Sequence, residues 1–272
     1  MNLQQARIVL RPRKAAETFD LALRWCFSVG GTLYLRLAAV LLLPAALACY
    51  ALRVFGEQPW PMVWTLAVGL AMVLQGPFTI AASRLMFEPR VTARAVLRQF
   101  VSRLPAYLVA LVVTRILQGI GLLVFLAWPW TWAAGAFVHE AVLLEGQGAF
   151  AGVRRSSKFV SGQYGTVLWM GMGLLCVLAM CVVAADQAGA VLFDFVLQVG
   201  RPFEALLEHG GSLTAVLGFF AAVPFMVSVR FLQYIDARTR RDGWDLQFAF
   251  LSVVVAQQAA QQAGQLGQEA RP

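Results

Sequence analysis

His139 and Glu140 stand side by side in one apolar stretch, and Arg115 stands alone in the stretch before it. A His-Glu pair on a helix can open the H-E-x-x-H pattern, in which two imidazoles one turn apart bind zinc while the Glu acts as base. Here position 143 is Leu, and the chain's other histidine, His209, falls on the opposite side of a membrane in the topology derived below. Metallohydrolase chemistry is thereby excluded, and neither a metal nor another cofactor is expected. No Ser/His/Asp grouping can be assembled on one side either. Cys26, Cys49, Cys176 and Cys181 lack metal-ligand spacing and read as small apolar side chains. No catalytic set emerges, so a non-enzymatic protein is expected.

What remains is charge in a place where charge is costly. Arg115 lies ten residues past Pro105, about 15 Å along a helix at 1.5 Å per residue. An ionised side chain at that depth pairs with another group or lines a cavity. If the hairpin turns at Trp128-Pro129, antiparallel matching sets position 115 opposite position 142. A guanidinium reaching back toward the cytoplasmic side then meets Glu140 or His139. The expected site is an Arg115–Glu140 pair with His139 beside it, serving either to fix helix register or to line a polar path.

The elements that hold these residues follow from composition. Hydrophobic residues make up 60% of the 272 and charged residues only 13%, against about 25% charged in a soluble domain. So few charges cannot cover a water-exposed surface. A bilayer crossing needs about 20 predominantly apolar residues, and six segments approach this: 33–52, 61–83, 105–127, 130–144, 165–185 and 212–234. The fold class is therefore an all-α membrane protein. Residues 1–245 form a single membrane domain, and 246–272 form a Gln/Ala-rich cytoplasmic tail expected to be partly disordered.

The net charge of +8 invites a nucleic-acid reading, but the bases flank apolar runs rather than forming one face. Seventeen of the 22 Lys and Arg residues fall in segments on one side of the six spans, and two, Arg53 and Arg201, on the other. Basic residues accumulate in cytoplasmic loops, so both termini are expected in the cytoplasm. Trp60, Trp64, Trp128, Trp130 and Trp132 gather near the outer span ends, where indoles favour the headgroup layer. No cleavable signal peptide is visible, because the first apolar run is too long for one.

The segments before spans one, three and five alternate apolar and basic faces at helical spacing. Val96, Leu97, Phe100 and Leu104 oppose Arg90, Arg94 and Arg98; Phe19, Leu23 and Phe27 oppose Glu17, Asp20 and Arg24. A weaker version sets Phe150 and Val153 against Arg154, Arg155 and Lys158. These read as interfacial helices on the cytoplasmic leaflet. Three units of interfacial helix plus transmembrane hairpin are suggested, with Phe27/Tyr34, Phe100/Tyr107 and Phe159/Tyr164 as echoes. Arg36 and Arg230, near cytoplasmic span ends, are expected to snorkel to headgroup phosphates. With Arg94, Arg98, Arg154, Arg155 and Lys158 they would make a surface for anionic lipid or for a protein partner in the same membrane. The 187–211 segment is expected to be an outer amphipathic helix broken at Gly200-Arg201-Pro202.

Four stretches resemble a known family: "LRPRKAAETFDLALRW", "GPFTIAASRLMFEPRVTARAVLRQF", "AVLLEGQGAFAGVRRSSKFVSGQYG" and "VRFLQYIDARTRRDGWDLQ". In this order they are similar to bacterial proteins related to the membrane domain of glycerophosphoryl diester phosphodiesterase. In fused members a separate soluble barrel carries the phosphodiesterase activity, and its acidic and histidine set has no counterpart in these residues. The resemblance implies a stand-alone bacterial inner-membrane protein. Two functions remain open: organisation of lipid or partner proteins through basic cytoplasmic helices, or a small transporter or channel subunit built around Arg115 and Glu140.

Overall fold

The computed structural model describes residues 13–242 apart from Pro89 and Arg201. The predicted 246–272 tail, with Arg7, Arg11 and Arg271, lies outside the described residues. These are 85% helical with no strand. Five helices are long and apolar enough to cross a membrane: α1 (Ala15–Val54), α2 (Trp60–Phe87), α3 (Ala93–Leu123), α7 (Tyr164–Val196) and α9 (Leu213–Asp242). The chain is a multi-pass α-helical membrane protein. Between α3 and α7 lie three short helices, α4 (Trp128–Ala134), α5 (Val138–Glu145) and α6 (Ala149–Val160), and a single turn, α8 (Leu206–His209), precedes α9.

α9 is the hub. Its most apolar window is 67% buried, against 22% for α7, and it packs on α1, α2 and α7. Small residues permit this approach. Gly218 of α9 faces Ala185 and the Cys181 carbonyl of α7, and Gly189 of α7 faces Thr214, as expected where lipid supplies no hydrophobic drive and close packing must hold helices together. The main core gathers Trp25, Tyr34, Phe78, Phe100, Phe137 and Phe231 around α9.

Several expectations change. The fourth predicted span, 130–144, is not one helix but α4 and α5 with a break at 135–137. The predicted interfacial segments before spans one and three are not separate elements, since both run unbroken into α1 and α3. In α1 the run passes through two π-helical turns, Trp25–Gly30 and Ala38–Leu42. The second lies over Pro44, whose ring and missing N–H prevent normal pairing one turn back. Pro105 likewise sits inside α3, and Val101, whose carbonyl it frees, is 63% exposed. Only α6 stands apart, ended by Gly162 at φ +89°. The Phe/Tyr echoes diverge too: Phe27 is 80% exposed while Phe100 is buried.

The start of α1 and the end of α9 meet. The Arg13 N–H donates to Asp236 (2.8 Å), and Arg240 donates to the Arg13 carbonyl (2.9 Å). At the opposite end the segment before α9 is tied down at Glu204 and Gly210. Glu204 accepts from Arg53 (2.9 Å) and from the Trp60 indole (2.6 Å), and Trp64 donates to the Gly210 carbonyl (2.9 Å). The predicted outer helix after residue 187 is instead the continuation of α7, ending in a π-helical turn over Val191–Val196.

Candidate functional site

The break between α4 and α5 makes the site. A helix interrupted at membrane depth frees backbone groups that lipid cannot satisfy, so each needs an internal partner. Ser156 of α6 supplies two, accepting from the Phe137 N–H (3.0 Å) and donating to the Ala134 carbonyl (2.6 Å). Arg230 of α9 supplies the third, donating to the Ala136 carbonyl (2.8 Å). The same guanidinium donates to Gln75 of α2 (2.8 Å) and pairs with Glu140 of α5 (3.2 Å). One arginine therefore ties α2, α9 and both halves of the broken helix together. Glu140 is 2% exposed and Arg230 21%.

This corrects two expectations. Glu140 pairs with Arg230 and not with Arg115, because the hairpin turns earlier than Trp128-Pro129. α3 ends at Leu123 and α4 already begins at Trp128. Gly121 lies against Thr131, and Gly135 against Thr114 and Gln118. Arg115 is therefore level with the break at Gly135, five residues or about 7.5 Å from Glu140. Its guanidinium donates to Gln118 on its own helix (2.6 Å). Arg230, in turn, does not snorkel to headgroups. Cα–Cβ bonds tilt toward a helix N-terminus, which for α9 points the side chain away from the Arg240 end and into the bundle.

His139 is where the sequence reading placed it, next to Glu140 and inside the bundle. It is 3% exposed, its ring meets Tyr107 edge to face (5.5 Å), and its Nδ1 has no hydrogen-bond partner. Tyr107 donates to the Met72 carbonyl (2.6 Å), beside Gln75. A cavity of about 150 Å³ opens here, walled by α3, the break, α7 and α9. Arg115, Gln118, His139, Arg230 and Gln233 line its polar side; Trp132, Leu174 and Met226 line its apolar side. Arg115 and Leu175 at its rim are exposed, so it opens sideways between α3 and α7. The cavity lining carries two guanidiniums, and the one carboxylate beside it is already paired.

The predicted lipid-facing bases divide. Arg36, Arg94, Arg98, Arg154 and Lys158 are exposed. Arg155 is not free: it pairs with Glu145 (3.2 Å) and stacks over Phe159 (4.4 Å). Arg238 also reaches Glu145 (3.4 Å), and Tyr234 donates to it (2.6 Å). Glu145 thus fastens the last turn of α5 to α6 and α9, beside Gly146, whose φ of +70° ends the helix against Arg103.

Sequence reasoning missed Gln75, Gln118, Gln233 and Ser156. Gly135 between Ala134 and Ala136, within a span only 15 residues long, was the available sign of a break. Outside the membrane-spanning helices, the Arg53 hydrogen bond to Glu204 holds its carboxyl below the usual carboxylate range, helped by Trp60. Among the described residues no cluster of His, Cys, Asp and Glu is arranged to hold a metal ion. No family model, no curated protein and no solved structure matches the chain.

Proposed function

We propose that this protein binds and passes a polar group through a membrane-depth site at the α4–α5 break, as a small transporter or channel subunit does. The observation that carries this reading is the Arg230–Glu140 pair seated on an interrupted helix beside a cavity that also holds Arg115. Non-helical backbone at membrane depth is tolerated where it is buried in protein or lines a cavity. In transporters such half-helices form the binding site. A pair that only fixed register would need neither the interruption nor the cavity. On this reading α4 and α5 make the sixth crossing in two halves. Both termini lie in the cytoplasm of a bacterial cell, and the membrane is the inner one.

The test is water access. In a chain with Cys26, Cys49, Cys176 and Cys181 replaced by Ala, Gln118→Cys is treated with a charged, water-soluble thiol reagent in sealed vesicles. Modification is expected from one face, while Ile120→Cys, exposed toward lipid on the same helix, stays unmodified. Equal protection of both cysteines from either face would sink the proposal.

A second reading has its own observation. Arg36, Arg94, Arg98, Arg154 and Lys158 remain exposed while Arg155 and Arg230 are held by carboxylates. Five free bases suit an anionic leaflet or an acidic partner protein, and organisation of that leaflet is the non-enzymatic alternative. Kinship with the phosphodiesterase membrane domains rests on the four ordered stretches and concerns the membrane scaffold alone.

A further inference from the structure

We infer that the cavity at the α4–α5 break binds a phosphate group. This rests on reading that cavity as the functional site and names what it takes. Arg115 has no acidic partner among the described residues and donates only to Gln118. Two further groups in the lining have lost their water without gaining a partner. His139 Nδ1 and Gln233 Nε2 are buried without a hydrogen bond, on residues 3% and 8% exposed. A buried polar group left unpaired costs about 1–3 kcal/mol, so two in one cavity mark a place where a ligand completes the bonding.

The chemistry of that ligand follows from the donors. Arg115, Arg230 and the Gln233 amide offer N–H groups, and His139 adds another when its proton sits on the unpartnered Nδ1. The one carboxylate close by, Glu140, is already paired with Arg230. The surplus is positive and made of donors, which calls for an anion rich in acceptor oxygens. A carboxylate presents two oxygens in a plane and would be satisfied by one guanidinium. Donors converging from α3, α5 and α9 fit the three or four oxygens of a tetrahedral phosphate. The volume of about 150 Å³ holds such a group. Two sources share this chemistry: the headgroup of an anionic phospholipid entering sideways between α3 and α7, and a free phosphate-bearing solute.

The experiment separates them. Protein in a phosphate-free maltoside detergent is titrated with inorganic phosphate, against chloride at matched ionic strength, with tryptophan fluorescence as readout since Trp132 lines the cavity. In parallel, native mass spectrometry follows retention of phosphatidylglycerol against phosphatidylcholine. Saturable phosphate binding, weakened about tenfold or more in Arg115→Gln, assigns a free phosphate. Preferential retention of phosphatidylglycerol, lost in Arg115→Gln, assigns the lipid. Gln233→Leu, which adds no charge change, weakens whichever probe binds and serves should Arg115→Gln fold poorly. Binding of neither probe, or binding that both variants leave unchanged, overturns the inference. If charged reagent still reaches Gln118→Cys in that case, the site stands and only phosphate as its occupant is lost.

Discussion

Replacing Glu140 by Gln removes the counter-charge of Arg230 while keeping size and shape. Glu140 is 2% exposed and Arg230 21%. Taking one partner from a fully buried pair costs about 3–5 kcal/mol, because the other charge is left uncompensated. Two features of this site reduce that. Arg230 keeps Gln75 and the Ala136 carbonyl, and a fifth of it is still accessible. The expected loss is therefore about 2–3 kcal/mol, at or below the lower end of that range. For a chain of this size each kcal/mol moves the midpoint by about 2–4 °C, giving a drop of roughly 4–12 °C. The sharper quantity is the coupling, measured by SDS-induced unfolding in mixed micelles for single and double variants. Glu140→Gln with Arg230→Gln should show about 1.5–3 kcal/mol of coupling, and Glu140→Gln with Arg115→Gln less than about 0.5 kcal/mol. The pairing derived from sequence, with the hairpin turning at Trp128, requires the reverse. Coupling that follows Arg115, or is absent from both cycles, would refute the geometry argued for the break.

Ser156→Ala leaves the Phe137 N–H and the Ala134 carbonyl without their shared partner inside the bundle. It should cost about 1–3 kcal/mol in the same unfolding assay, whereas Ser157→Ala, one residue along α6, should cost little. At the end of the bundle away from the Arg13–Asp236 contact, Glu204 has a carboxyl held low in the folded state, chiefly by Arg53. Its stabilising contribution is therefore complete above its ordinary value of 4.5 and fades as pH falls through the lower folded value. Hydrogen exchange in 205–212 should accelerate below that point in the wild type. Glu204→Gln should exchange quickly already at neutral pH, and a profile unchanged by the substitution would show that Arg53 and Trp60 do not anchor the segment.

Much of this protein is written in one dimension. Composition and the lengths of its apolar runs suffice to make it a multi-pass helical membrane protein, because bilayer thickness sets helix length whatever the helices pack against. Arg115, His139 and Glu140 could be picked out for a similar reason: a charged or polar residue in an apolar run is conspicuous from its neighbours alone. Their partners could not. Pairing depends on register between helices, and register turned on whether the hairpin bends at 124–127 or at 128–129, a matter of a few residues that moves Arg115 by more than a helical turn. The direction of Arg230 depended on α9 packing at the break, with its Cα–Cβ bonds tilted toward its own N-terminus. Gln75, Gln233 and Ser156 carried no charge to mark them, since an uncharged polar residue in or beside a span looks the same whether it packs in the bundle, faces headgroups or seals an opened helix. Only packing three helices around the interruption at Gly135 decided which of them the backbone needed.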